Sequence, residues 1–193
     1  QHPPLPVSRA RPNGGSSPLL LRQQAMNVLA SARGIDCNFI VRDRFYAGLQ
    51  DQEAAAHAYR QSILDSDYVL CVRGHGNYSF RLYDAMSMGR VPVMVDTDCV
   101  LPFDHLIDYR RFMPIVPRKR MHELPEVIRN HFESYDDQQW RQLQGELRRF
   151  YVEWLSPRGF FSKLRLHPEL AEPCASDNVD ADLTGSRVSM KSV

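Results

Sequence analysis

The 193-residue sequence lacks the features that mark several common protein classes. Its four cysteines form no Cys-x-x-Cys pair, so neither a zinc site nor a disulfide framework is indicated. No run approaches the roughly 20 apolar residues that a membrane-spanning helix needs. Lysine and arginine total 24 against 23 aspartate and glutamate, a net charge of +1, whereas nucleic-acid binders usually carry a clear basic excess. A globular domain with no nucleic-acid partner is therefore expected.

Motifs for common catalytic chemistries are also missing. The sequence has no Gly-x-Ser-x-Gly nucleophile elbow and no Walker phosphate loop, which disfavours hydrolase and NTPase functions. His57, His75 and His105 are too scattered to predict a metal cluster.

The composition divides the chain into three parts. Residues 1–16 are rich in Pro, Gly, Ser and Arg, which predicts a loop or a truncated edge. The chain starts at Gln1 without a leader sequence, which indicates a fragment or a processed end. Residues 167–193 are polar and small without periodicity, and we predict a disordered tail there. Residues 17–166 are then expected to form one domain.

Helix and strand patterns alternate along this domain. Ser17 and Pro18 suit an N-cap and a first helical position. The patterns predict helices at 19–32, 51–65, 79–88, 121–133, 136–155 and 157–165, and strands at 37–41, 67–72, 91–95 and 112–116. This order predicts an α/β fold with a doubly wound, mostly parallel sheet flanked by helices, Rossmann-like, with a helical C-terminal extension. An aromatic stripe on 136–155 is expected in the core, with an interdomain interface as the alternative.

The segment from Asp67 to Phe103 carries the chemistry. A buried strand is followed by a loop with two glycines, and a helix starts near Ser79. In open α/β sheets, ligands bind beyond the carboxyl ends of the strands. Glycines let the backbone approach a ligand, and a helix start offers free N–H groups to an anion. The pattern is therefore compatible with an anion site, although such loops are common in any α/β domain.

Charged side chains around this loop sharpen the hypothesis. Arg73 and Arg81 could form charge-assisted hydrogen bonds with a diphosphate. Asp84 comes three residues after Arg81, so both can share one helix face, where a carboxylate suits ribose hydroxyls. The alternatives are an N-cap role for Ser79, a solvated ion pair of Arg81 and Asp84, and a solvated loop position for His75.

The same segment resembles the carboxyl-terminal half of the exostosin family, glycosyltransferases of the GT-B architecture. That family shows an Arg-Gly loop, Ser-x-Arg-x-x-Glu-Ala, Gly-x-Ile-Pro-Val and Leu-Pro-Phe. This sequence has, in the same order, Arg73-Gly74, Ser79-Phe80-Arg81-Leu82-Tyr83-Asp84-Ala85, Gly89-Arg90-Val91-Pro92-Val93 and Leu101-Pro102-Phe103. Weaker similarity extends from about Leu19 to Leu164.

The resemblance implies a donor-binding GT-B half whose loop and helix hold the nucleotide diphosphate of a sugar. Arg73, Ser79 and Arg81 would lie near the phosphates and Asp84 would hold the ribose. The full set of donor-binding candidates is Arg73, Gly74, His75, Asn77, Ser79, Arg81 and Asp84. Glu is usual where Asp84 stands, so the ribose contact is expected to be weaker, water-bridged or absent.

Two further motifs overlap this segment. Asp96-Thr97-Asp98 spells a DxD metal motif, but GT-B enzymes do not rely on such a metal, so no metal and no cofactor are expected. Asn77-Tyr78-Ser79 is a glycosylation sequon, and a glycan there would block the donor loop, so it is taken as accidental.

The expected function is transfer of a sugar, with inversion, from a nucleotide sugar to a glycan or other hydroxyl acceptor. A uridine diphosphate sugar is the expected donor. The catalytic base is unknown, because in GT-B enzymes it usually comes from an amino-terminal acceptor domain that this length has no room for. A non-catalytic nucleotide-sugar-binding module and an unrelated α/β signalling domain are the alternatives. A bacterial cytoplasmic or membrane-associated setting is favoured over the Golgi lumen, with any membrane association through segments absent here.

Overall fold

The computed structural model describes residues 17–41 and 52–166. The predicted loop at 1–16 and the predicted tail at 167–193 lie outside the described residues. Six helices are described: α1 (Pro18–Ala30), α2 (Gln52–Leu64), α3 (Phe80–Ser87), α4 (Leu124–Glu133), α5 (Asp137–Phe150) and α6 (Pro157–Leu166). Three strands join them: β1 (Tyr68–Cys71), β2 (Val91–Asp96) and β3 (Ile115–Pro117). Short 3-10 turns at Tyr109–Arg111 and Arg118–Glu123 and a π-helical turn at Tyr151–Leu155 complete this part of the chain.

The strands form one parallel sheet in the order β1-β2-β3. Leu70 pairs with Val93 across the first ladder, and Met94 pairs with Ile115 across the second. Residues 91–95 of the central strand are all buried, which explains their continuous apolar sequence. The predicted α/β class with a parallel, helix-flanked sheet, a Rossmann-like half, is confirmed.

Helices cover both faces of the sheet. On one face, α1 and α4 pack on Val93 and Val95 through buried residues that include Leu21, Ala25, Leu29, Leu124 and Ile128. On the other face, α2, α3 and α5 pack around Met94 through Ile63, Leu82, Ala85, Met86, Leu143 and Leu147. Because the strands are parallel and both faces are covered, their carboxyl ends form one accessible edge.

Local signals account for two of the helix ends. α3 is followed by Gly89, whose φ of 66° is left-handed, and a Cβ there would lie 3.0 Å from the Gln144 carbonyl oxygen. α5 begins with a capping box in which Asp136 accepts from the Gln139 N–H and Gln139 Oε1 accepts from the Asp136 N–H. Both boundaries agree with the sequence patterns.

The predicted strand at 37–41 is wrong. Residues 35–40 alternate between half-buried and exposed positions, and Cys37 and Phe39 pack against the cluster on the α1 face. The described sheet, however, ends at β1 on this side, and no ladder includes these residues. The alternation reflects side-chain packing of an extended segment without backbone pairing.

The strand predicted at 112–116 is displaced to Ile115–Pro117. Phe112 follows the 3-10 turn that Asp108 caps, and Phe112 and Met113 are buried as part of the turn. Pairing with β2 therefore starts at Pro114, whose carbonyl accepts from the Met94 N–H at 2.9 Å.

The aromatic stripe packs in the core, as predicted. Leu143 and Leu147 are buried, and the stripe's Trp140, Phe150, Tyr151 and Trp154 are half-buried against the same cluster. The ring of Phe103 contacts Trp154 and Phe160 with centroids 5.8 and 5.2 Å apart. Among the described helices, none is long and apolar enough to cross a membrane.

Candidate functional site

The loops that follow β1 and β2 meet at the carboxyl edge of the sheet. The loop between β1 and α3 closes on itself, because the Gly74 N–H donates to the Tyr78 carbonyl at 2.9 Å. The Tyr78 ring lies over Gly76, where a Cβ would collide with it, so a side chain at this position cannot be accommodated without moving the ring. Tyr78 is exposed, so a larger residue at position 76 would displace this ring and not the backbone.

Asn77 joins the two loops. Its Nδ2 donates to the carbonyls of Thr97 and Asp98 at 3.0 and 2.9 Å, and its Oδ1 accepts from the Thr97 hydroxyl at 2.6 Å. The whole amide is engaged, so Asn77 fixes the loop by these bonds. Asn77 is also the asparagine of the Asn77-Tyr78-Ser79 sequon, and these bonds give it a structural role.

The β2 loop is ordered by the first residue of the DxD motif. Asp96 Oδ1 accepts from the N–H groups of Asp98 and Cys99 at 3.0 and 3.3 Å, and Asp98 has a left-handed φ of 59° that aspartate tolerates. Within residues 17–41 and 52–166, no group of three or more His, Cys, Asp or Glu could hold a metal ion. The Asp96 carboxylate thus stabilises the turn after β2.

α3 presents its amino terminus at this edge. Ser79 occupies the N-cap position with extended backbone, but its hydroxyl caps no helix N–H. The N-terminal N–H groups of α3 therefore have no side-chain cap from Ser79. This geometry leaves the helix start open to an anion.

Arg81 and Asp84 share one face of α3, as their spacing predicts, and they meet at Tyr59 of α2. The Tyr59 hydroxyl donates to Asp84 Oδ2 at 2.7 Å, and the Arg81 guanidinium lies over the Tyr59 ring at 5.4 Å from its centroid. No ion pair between Arg81 and Asp84 occurs in the described part of the chain. The two side chains are thus connected through a tyrosine and not by direct contact.

A second arginine contributes to the field at this site. Arg22 of α1 is half-buried, and burial together with the charge of Arg81 lowers its pKa. Burial and the Asp84 carboxylate raise the pKa of the Tyr59 hydroxyl, which keeps it a hydrogen-bond donor. The positive charges of Arg22 and Arg81 thus interact within this part of the molecule.

The structure thus places the candidates in two groups. Arg81 and Asp84 lie on α3 and Ser79 is its N-cap, whereas the other candidates lie on the loop before it: Arg73, Gly74, His75 and Asn77. His75 is exposed, and Arg73 is half-buried with its Nη1 3.5 Å from the Gly74 carbonyl.

Sequence patterns missed Tyr59 and Arg22. Tyr59 lies four residues before Ile63, the buried residue of α2, so both project from one helix face. Arg22 follows the buried Leu21 on α1. That spacing could have indicated Tyr59 as an inward residue, but it does not reveal which side chains it meets.

A family model and several known proteins match parts of this chain. Residues 28–131, more than half of the chain, match the model of the Exostosin GT47 domain. Exostosin-1a of Danio rerio is 31% identical over 72 residues, which is 37% of this chain and 10% of that protein. Exostosin-2 of Bos taurus is 26% identical over 96 residues, covering 50% of this chain and 13% of that protein.

A plant relative shows the same partial coverage. A probable glycosyltransferase of Arabidopsis thaliana is 30% identical over 70 residues, which is 36% of this chain and 15% of that protein. The matches therefore span only a small part of these relatives. Since the family model matches more than half of the chain, including β1, α3 and β2, the chain belongs to the exostosin GT47 family.

Proposed function

We propose that this chain is the donor-binding half of a glycosyltransferase and that it binds the diphosphate of a nucleotide sugar. The supporting observation is that Arg81 and Asp84 share one face of α3, where both contact Tyr59, and that Ser79 leaves the start of this helix uncapped. A guanidinium and free helix N–H groups suit the diphosphate, and a neighbouring carboxylate suits ribose hydroxyls. Membership of a family whose relatives include a probable glycosyltransferase supports the assignment.

In this proposal the donor is a uridine diphosphate sugar and the acceptor is the hydroxyl of a glycan. Positive groups that bind the diphosphate also stabilise the negative charge that develops on it as the sugar leaves. Transfer with inversion needs a base that removes the proton from the acceptor hydroxyl. In our proposal this base belongs to an amino-terminal acceptor domain.

Arg81→Ala tests the phosphate placement. Loss of one charge-assisted hydrogen bond, worth about 1.5–3 kcal/mol, is expected to weaken UDP binding roughly ten- to hundredfold. Calorimetric titration measures the affinity, and circular dichroism checks that the helix content is unchanged. Lys119→Ala is the matched control, because Lys119 is an exposed cation on the turn after β3. Unchanged UDP affinity in Arg81→Ala would contradict the phosphate placement.

A non-catalytic module that keeps the nucleotide-sugar pocket is the second candidate. It is favoured by Asp84, which is one carbon shorter than the usual family Glu and has one oxygen engaged by Tyr59. Binding of UDP-sugars without hydrolysis or transfer by the chain joined to its acceptor domain would support the module. Sugar transfer by the same protein would support the enzyme.

A further inference from the structure

Tyr59 contacts both charged residues of α3 from a different helix. It is 25 residues before Asp84 in the chain and lies on α2. Its hydroxyl donates to Asp84 Oδ2, and its ring face carries the Arg81 guanidinium. One side chain therefore acts on the orientation of two.

The hydrogen bond fixes the Asp84 carboxylate. A short aspartate side chain has two rotatable bonds, and a bond of 2.7 Å to one oxygen selects one orientation of the group. Within the described part of the chain, Oδ1 accepts no hydrogen bond. This second oxygen is consequently available to a ligand hydroxyl in a fixed direction.

The ring contact acts on Arg81. An arginine has four side-chain torsions and loses considerable rotamer freedom when it binds a ligand. A guanidinium over an aromatic face is attracted by the ring quadrupole, which restricts those torsions before a ligand arrives. Arg81 is thus partly preorganised for an anion.

We propose that Tyr59 is a positioning residue of the donor site, which holds Asp84 for the ribose hydroxyls and Arg81 for the diphosphate. This inference rests on the proposed function. It also gives the shorter Asp84 a specific arrangement: the tyrosine hydroxyl satisfies one carboxylate oxygen and the ribose takes the other. A tyrosine that served packing alone would have no effect on which part of the ligand is recognised.

The experiment separates the two contacts with three ligands. UDP tests the whole site, 2′- and 3′-deoxy-UDP each lack one ribose hydroxyl, and inorganic pyrophosphate lacks the ribose altogether. Tyr59→Phe removes the hydrogen bond and keeps the ring, whereas Tyr59→Leu removes both. Calorimetric titration of the full chain gives each affinity, and thermal melts report on folding. Tyr151→Phe is the matched control, because this half-buried tyrosine lies on the π-helical turn after α5.

The expected result is selective. Tyr59→Phe should weaken UDP binding about tenfold, because Asp84 is no longer held for its hydrogen bond to the ribose, a bond to a charged group. It should also abolish discrimination between UDP and the deoxy form that Asp84 would distinguish. It should leave pyrophosphate affinity unchanged, while Tyr59→Leu weakens pyrophosphate as well. Asp84→Asn should reproduce the loss of discrimination, and the double variant Tyr59→Phe/Asp84→Asn should lose no more than either single change.

Two results would overturn the inference while leaving the proposed function intact. One is UDP binding by the unaltered chain that Tyr59→Phe does not change. The other is an equal loss for all ligands together with a lower melting temperature, which is the behaviour of a packing residue. Absence of UDP binding by the unaltered chain would overturn the proposed function and this inference with it.

Discussion

Several polar side chains at the carboxyl edge of the sheet form hydrogen bonds within the protein, next to those proposed to bind the ligand. Asn77 uses its whole amide to join two loops, and Asp96 stabilises the turn after β2. Tyr59 bonds the carboxylate that is proposed to meet the ribose. Arg81 is the side chain that combines a position at the open helix start with no ion pair in the described residues, which makes it the best single candidate for the phosphates.

A residue far from this edge predicts a pH dependence of stability. His131 of α4 is half-buried, its Nδ1 lies 2.8 Å from the Tyr68 hydroxyl, and its ring also contacts Tyr135 and Trp140. Burial lowers the pKa of His131 below 6.5 in the folded protein. The unfolded chain therefore takes up this proton first as the pH falls.

The free energy of unfolding should consequently decrease as the pH falls below about 6.5, where an unfolded histidine titrates, and this contribution should be flat above that pH. Urea unfolding at a series of pH values measures it. His131→Gln should reduce the decrease, and His122→Gln, at an exposed histidine, should keep it. An identical pH dependence in His131→Gln and the unaltered protein would contradict this account.

At the level of elements, the site is formed by the ends of two strands and the start of one helix. β1 and β2 are adjacent and parallel, so the loops after Cys71 and Asp96 lie side by side. The side chain of Asn77 then joins them. The loop between β1 and α3 is therefore held by the neighbouring loop as well as by its own internal bond.

Asn77→Ala tests this link between the loops. Removal of three hydrogen bonds should raise amide hydrogen exchange in residues 74–79 and 97–99 and weaken UDP binding, with about 1 kcal/mol or more of lost stability. Exchange measured by mass spectrometry locates the change. Asn38→Ala, at an exposed asparagine of the extended segment 35–41, should leave both properties unchanged. Unaltered exchange in the two loops of Asn77→Ala would show that Asn77 does not hold them.

The sequence allows the elements to be predicted better than their contacts. Continuous apolar residues predict β2, and Gly89 predicts the end of α3, because both signals are local. The segment 37–41 was misassigned because alternation reports which side chains are buried and not whether the backbone is paired. Tyr59 could not be placed against Asp84, because the packing of α2 on α3 depends on the whole core.

For the molecule as a whole, the described residues form one α/β unit with two covered faces and one accessible edge. The part of the chain that matches the family model includes the loop and helix at this edge. Our central claim is that the diphosphate of a sugar nucleotide binds at this edge, between the loop after β1 and the start of α3.

Chemical-shift mapping of the 22.3 kDa chain with UDP tests that claim most directly. We predict saturable chemical-shift changes that are largest for the backbone amides of residues 73–82, including Gly74, Ser79 and Arg81. We also predict smaller shifts from uridine, which lacks the phosphates. Shifts confined to other parts of the chain, or none at saturating UDP, would contradict the claim.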